Sequence, residues 1–387
     1  MPIEILGMIA TTAGSESKKL DGPIVDPAFV RDFSRAHEDA GFDRVLIGYS
    51  ASSPDGFAVA ASALHSTERL KVLIAHRPGF VAPTLVARKL ATLDHLTGGG
   101  RVAIHHISGG SDEDQRRDGD FSEKADRYRR TGEFIDVLRR TLESDEPFDY
   151  DGEFYQVEGG YSAVKPATDA GIPIFFGGLS EGAVEVGAAH ADVYMLFGEP
   201  LAAVAERIAA VRAATAAKGR ASASRGSGAE PQKARTVEFS LSTRPIIAAT
   251  EEEAWAKARR IYDEAAALIE AQEAGNTLAF VAPRRREATS VSAELLQKHA
   301  QLGDVHDERL WLGITRLAGP GGNSTAPVGT PGQVAEALLK YYDLGVTRFL
   351  IRGFDPLGDV IDWGDELIPA LREGARIRDE EQARRVA

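Results

Sequence analysis

Gly178-Leu179-Ser180-Glu181-Gly182 spells G-x-S-x-G, after the apolar run Ile172-Pro173-Ile174-Phe175-Phe176 and before a stretch of helical spacing. Two chemistries compete for it. In a hydrolase the serine is a nucleophile on a sharp strand-to-helix turn. In an anion site the serine caps the helix, where unpaired N–H groups and the helix dipole attract a phosphate. The second reading has more behind it. No HGGG-type oxyanion segment precedes the motif, and no later Asp and His stand where a triad needs them.

The ends of the other apolar runs carry the remaining candidates. They are Thr11-Thr12, Tyr49-Ser50, His76-Arg77, His106-Ile107-Ser108, Phe176-Gly177-Gly178, Phe197, Ser242 to Arg244 and Arg352 to Phe354. Aromatic, small polar and cationic groups together suit a flat aromatic cofactor with an anionic tail. They suit a metal poorly. His105 and His106 are adjacent on a strand and so point to opposite faces, and no His-Glu-x-x-His occurs. Arginine stays protonated, so Arg244 can hold charge but is a poor proton acceptor, which leaves His76 or His106 for that task.

These residues need elements to hold them at one place. Strands are expected at 3–9, 45–47, 71–76, 102–107, 172–176, 191–197, 236–241 and 346–351. Helices are expected near 83–97, 121–143, 180–189, 199–217 and 251–272. Asp26-Pro27 and Thr330-Pro331-Gly332-Gln333 are helix starts with proline in the first turn, and Gly41 and Gly345 are helix stops. Val86, Leu90, Leu93 and Leu96 share a helical face that should meet a sheet. Each glycine stop is followed by a similar unit, Gly41-Phe42-Asp43-Arg44-Val45-Leu46-Ile47 and Gly345-Val346-Thr347-Arg348-Phe349-Leu350-Ile351. Eight strand–helix units predict an α/β fold of the (β/α)₈ TIM-barrel type, with a doubly wound open sheet as the rival. In a barrel the C-terminal strand ends share one mouth. Insertions near 146–170, a hairpin, and near 219–234 and 273–325, loops that would close over that mouth, decorate a single domain spanning 1–387.

Composition sets the outer limits. The 387 residues include 58 acidic and 45 basic side chains, a net charge of −13, and no cysteine. Disulfides, cysteine-ligated zinc and a thiol nucleophile are excluded. The acidic balance argues against a nucleic-acid binder. No apolar run approaches the roughly 18 residues of a membrane span, and Met-Pro-Ile-Glu lacks the basic start of a signal peptide, so a soluble cytoplasmic protein is expected.

Several blocks in order resemble one family. They are His76-Arg77-Pro78-Gly79 with Pro83-Thr84, Ala87-Arg88, Ala91-Thr92-Leu93-Asp94, Ser108-Gly109-Gly110-Ser111-Asp112, Asp126-Arg127-Tyr128, Phe176-Gly177-Gly178 with Ser180, and Asp192-Val193-Tyr194 through Phe197-Gly198-Glu199-Pro200. The chain resembles the bacterial luciferase-like flavin monooxygenases, most closely the alkanesulfonate monooxygenase branch, from the first strand to about residue 372. The resemblance implies a barrel that takes reduced FMN (FMNH2) from a separate NAD(P)H-dependent flavin reductase, activates O2 and oxygenates a small anionic organic substrate, with an alkanesulfonate as one option. It also implies a homodimer or homotetramer.

By position, the resemblance puts the FMN phosphate at Tyr128 and Ser180, assisted by the backbone near Leu179 and Glu181, and Ser108 beside the flavin ring. Thr12, Phe197, Ser242 and Phe354 would line the substrate pocket. The branch's Arg-x-His pair falls on Ser242 and Arg244, its cysteine on Ser53, its tyrosine on Phe354 and its mobile-loop arginine on Arg316. Arg244, Arg316, His76 and Ser53 are therefore the catalytic candidates. Three other functions compete: a deazaflavin (F420)-dependent oxidoreductase on the same barrel, a serine hydrolase using Ser180, and a non-catalytic flavin-binding barrel.

Overall fold

All eight expected strands form, and they close. In the computed structural model, which describes residues 3–20, 22–218, 236–274, 290–319 and 324–386, the strands are Glu4–Ile9, Arg44–Ile47, Lys71–His76, Val102–His106, Ile174–Gly177, Val193–Phe197, Glu238–Thr243 and Val346–Ile351. Each pairs in parallel with the next, and Glu4 beside Arg348 joins the last to the first. The open-sheet alternative is thereby removed.

The alternation of side chains along each strand divides the interior in two. Ile5, Val45, Val72, Ile74, Ile104, Phe176 and Phe349 face outward into one large core shared with the helices. Leu6, Leu73, Ala103, Phe175, Val193 and Leu350 face inward and pack against one another, plugging the barrel near its N-terminal end. Below the plug, Glu4 lies between Arg44, 2.9 Å away, and Arg348, 2.6 Å away, while Arg348 also meets Glu238 at 2.8 Å.

The helix signals act as the local chemistry requires. Asp26 accepts from Ala28 N and Phe29 N, and Thr330 and Gln333 form a reciprocal capping box. Gly41 and Gly345 adopt φ of 82° and 105°, a region that admits glycine readily. In the helix Pro83–Leu96, Val86, Leu90 and Leu93 are buried, but Leu96 is 68% exposed because its position in the last turn overhangs the sheet. The helix expected near 121–143 forms as Lys124–Glu143, and a short helix not expected from the sequence, Asp112–Arg117, precedes it. Gly56–His65, a further helix, lies between the second and third strands where no element was expected.

The insertion near 146–170 carries the expected hairpin, Phe148–Asp151 paired with Gln156–Gly160. The region 273–325 contributes the helices Val291–Leu302 and Gly313–Ala318 and the strands Val305–His306 and Leu310–Trp311. These two strands join Ala326–Gly329 and Ile246–Ile247 in a small second sheet beside a separate core of Ala258, Trp311, Ile314, Val328 and Phe354. The expected loop 219–234 lies outside the described residues. Among the described residues no helix is long and apolar enough to cross a membrane.

Two measurements check this layout. Phe175→Ala should cost about 3–5 kcal/mol, seen as a lower urea midpoint at unchanged slope, because the plug cannot collapse into the gap. Glu4 titrates through the base network: burial pushes its pKa up, but Arg44 and Arg348 outweigh that and hold it below the usual carboxylate value. Its contribution is therefore present above the unfolded carboxylate pKa and lost as pH falls through the folded one. Glu4→Gln should lower the melting temperature at neutral pH, and the gap to the parent should narrow in acid.

Candidate active site

Two residues beyond the plug, the inward positions include Met8, Gly48, Ala75, His105, Gly177 and Met195. All but Ala75 are half-buried. Strand interiors wrapped in helices reach that exposure only where the lumen is open toward the C-terminal mouth. Gly48 and Gly177 let their neighbours come close at this level: a Cβ on Gly48 would lie 2.9 Å from the Met8 methyl, and one on Gly177 would lie 2.8 Å from the Met195 carbonyl.

His105 is the imidazole on this inner side. Its Nδ1 is sealed and has no hydrogen-bond partner, and burial pushes its pKa down to about 4, so it is neutral at working pH. His76 and His106 do not line the mouth. Both are on the outward face, their ring centroids 5.3 Å from Phe134 in the layer between wall and helices. Burial lowers both, His76 to about 4 and His106 well below the usual imidazole value. The expectation of a catalytic His76 is corrected by strand parity: the lumen faces the odd-numbered residue of the pair at 105 and 106.

Ser180 and Tyr128 come together. Ser180 caps the helix Glu181–His190, its hydroxyl accepting from Ala183 N at 3.3 Å. A Cβ on Gly182 would lie 3.0 Å from the Tyr128 ring, and one on Gly178 would lie 3.9 Å from the Tyr128 hydroxyl. The first N–H groups of a helix have no intrahelical acceptor, so those of Glu181 and Gly182 are available to an anion. Leu179 packs partly on the core, and the Glu181 side chain is exposed, so only the backbone of these two suits a phosphate. Ser180 has φ −71° and ψ 157°, relaxed extended backbone rather than a strained elbow, and among the described residues no base is hydrogen-bonded to it. Both facts weigh against the hydrolase.

Ser108 follows the neighbouring strand, which pairs with the one that leads to Ser180. Its hydroxyl shares a hydrogen bond of 3.0 Å with Thr131, and its carbonyl accepts from Arg127 Nε at 3.2 Å and from Gln115 at 3.3 Å. Arg127, 2% exposed and also paired with Asp112 at 2.6 Å, fixes the turn after the fourth strand. Nothing in the sequence marked it beyond its place beside Tyr128. Arg77 plays a parallel part, pairing with Asp114 and lying 4.7 Å over the Tyr49 ring.

The arginine grip is the main correction. Arg244 is 1% exposed, 3.6 Å over the Phe354 ring, and 2.7 Å from Glu16 Oε2. Burial pulls its pKa down to about 10 against the opposing pull of Glu16. The other oxygen of Glu16 meets Arg352 at 2.9 Å. An internal carboxylate thus occupies the place expected for a substrate anion. Phe354, 2% exposed, is the platform beneath Arg244 and belongs to the second core. Arg316 is exposed and paired with Asp304 at 2.5 Å. Ser53 is exposed and closes a turn with Ser50 through bonds of 2.9 and 2.8 Å. Phe197 and Ser242 are register partners on neighbouring strands, both half-buried, and Thr12 is half-buried in the loop after the first strand. Glu16 escaped the sequence reading because it sits in a polar loop with no periodicity.

Removal of the cap gives a direct check: Ser180→Ala should cost about 1 kcal/mol of stability, measured by denaturant unfolding.

Comparison with known proteins agrees with the architecture. A riboflavin lyase (RcaE), solved with modified FMN and its substrate riboflavin, superposes with a TM-score of 0.70 at 21% identity over 97% of this chain and 92% of its own. A long-chain alkane monooxygenase (LadA) gives 0.73 at 16% identity, covering 97% and 92%. An F420-dependent secondary alcohol dehydrogenase, in complex with an F420-acetone adduct, gives 0.64 at 17%, covering 96% and 99%. At these identities the likeness is one of fold. The sequence profile of the luciferase-like monooxygenases matches residues 4–348, nearly the whole barrel. The chain belongs to the luciferase-like monooxygenase family.

Proposed function

We propose that this protein is a two-component monooxygenase that binds reduced FMN, received from a separate NAD(P)H-dependent flavin reductase, and oxygenates a small organic substrate with O2. One observation carries the reading. The Ser180 cap, with Tyr128 against its first turn, follows the barrel strand that ends at Gly177, beside the half-buried inward residues Met195 and His105 of the two neighbouring strands. A phosphate at the cap would place an attached flat ring over the barrel lumen.

The residues present fit such a group. Ser180 Oγ and the N–H groups of Glu181 and Gly182 would hold the phosphate, with the Tyr128 hydroxyl as a further donor. Met195 and Phe197 offer apolar walls, and the plug beneath them keeps water from the base of the site. His105, neutral and on the inner side of the wall, keeps its Nδ1 sealed, so only the other edge of its ring can meet a bound molecule. Reduced flavin, when bound, would supply the electrons that activate O2. The resemblance to the alkanesulfonate branch supports the FMN-dependent reading, as does the FMN-containing riboflavin lyase of the same fold. The F420-dependent neighbour favours a second reading, hydride transfer with a deazaflavin on the same cradle.

Anaerobic titration with reduced FMN and with reduced F420 separates the two. FMNH2 should bind at micromolar concentration, and Ser180→Ala and Tyr128→Phe should each weaken it by roughly tenfold, the worth of one hydrogen bond to a charged group. With a flavin reductase, NADH and labelled O2, one oxygen atom should enter a turned-over substrate. Tight binding of F420 alone would move the protein to the deazaflavin class. Loss of ester hydrolysis in Ser180→Ala with unchanged flavin binding would overturn both readings.

A further inference from the structure

We propose that Glu16 is a tethered carboxylate seated permanently on the Arg244–Arg352 pair, so that the substrate end meeting this part of the mouth is uncharged and free sulfonates and carboxylates are kept out. The inference rests on the mouth being the substrate site, as argued above, and it names the class of substrate that site admits.

The geometry is that of a bound anion. Glu16 Oε2 lies 2.7 Å from Arg244 and Oε1 lies 2.9 Å from Arg352, so each oxygen has its own guanidinium. That arrangement of two planar cations is what a sulfonate or carboxylate seeks. Both terminal nitrogens of Arg244 are engaged within the protein, Nη1 facing Glu16 and Nη2 donating to Gly353 O at 2.6 Å, and the side chain is 1% exposed and stacked 3.6 Å over Phe354. Burial alone would push the Glu16 carboxyl up, but the two arginines hold it far below the usual range, so it stays ionised.

The loop that delivers Glu16 is fastened on both sides of it. Ser15 donates to the Phe354 carbonyl, and Lys18 pairs with Asp355 at 2.8 Å, so the neighbours of Glu16 grip the segment that carries the Arg244 platform. The loop base is closed by Asp26 N donating to Thr11 O at 2.8 Å and by Thr11 Oγ1 donating to Ile24 O at 2.6 Å. A tethered group competes as though present at millimolar concentration or above. A free anion must beat that and also drive an ionised carboxylate off two partly desolvated cations, leaving it to find new solvation. An uncharged substrate has no such competitor.

The test uses the full chain without flavin, so its outcome is independent of whether FMN binds. Calorimetric titration with 1-octanesulfonate, octanoate and 1-octanol should show neither anion binding the parent below millimolar concentration. Glu16→Ala and Glu16→Gln should each bind octanesulfonate at least about tenfold more tightly than the parent. Formate or methanesulfonate should also raise their melting temperatures more than that of the parent. The gain should vanish in the Glu16→Ala, Arg352→Met double variant, which distinguishes a vacated seat from a loosened loop. Micromolar binding of octanesulfonate to the parent would overturn the proposal, and so would a folded Glu16→Gln protein with no gain for either anion. Should Glu16→Ala not fold, Glu16→Gln and the parent titration decide the matter.

Discussion

A parallel strand in a closed wall must satisfy two neighbourhoods at once, and that constraint governs this molecule. One side of each strand meets helices and the other meets the strands across the lumen, with a period of two. The six inward residues of the plug fill the lumen near its base. The same parity two residues on presents Met8, His105 and Met195 to an open space. Packing and site are successive rungs of one ladder, so a slip of one residue in any strand would exchange core for chemistry.

This explains why the fold was legible and the site only partly so. Short apolar runs bounded by glycine stops and proline-led helix starts are local signals, and all eight strands followed from them. Ser180 was legible for the same reason: capping depends on a residue and the three after it. The helix Val291–Leu302 was not, since it buries only Ala293, Leu296 and Ala300 and leaves other apolar residues such as Leu302 exposed, which blurs its periodicity. The inward-facing imidazole was misplaced for a different reason. The spacing at 105 and 106 established that the two rings diverge but not which one faces inward, because both neighbourhoods are apolar until the barrel closes.

Charges were the least legible feature. Arg244 could be read as a cation near the mouth, yet its partner lies 228 positions earlier in a loop with no pattern of its own. An ion pair between distant loops leaves no trace in composition or periodicity. Arg127, whose guanidinium orders the turn carrying Ser108, is equally hidden: it is the charged member of a helix face whose other buried residues include Phe134, Ile135 and Leu138.

The seam of the wall has a further consequence for how the chain reaches this state. Glu4 contacts Arg348 across almost the full length of the protein, and its other arginine, Arg44, sits in the second strand. During synthesis the first strand therefore has a partner on one flank only, and the other flank stays bare until the eighth leaves the ribosome. The inward carboxylate of Glu4, with Arg44 beside it, puts charge on that waiting rim and makes it a poor template for stray strands.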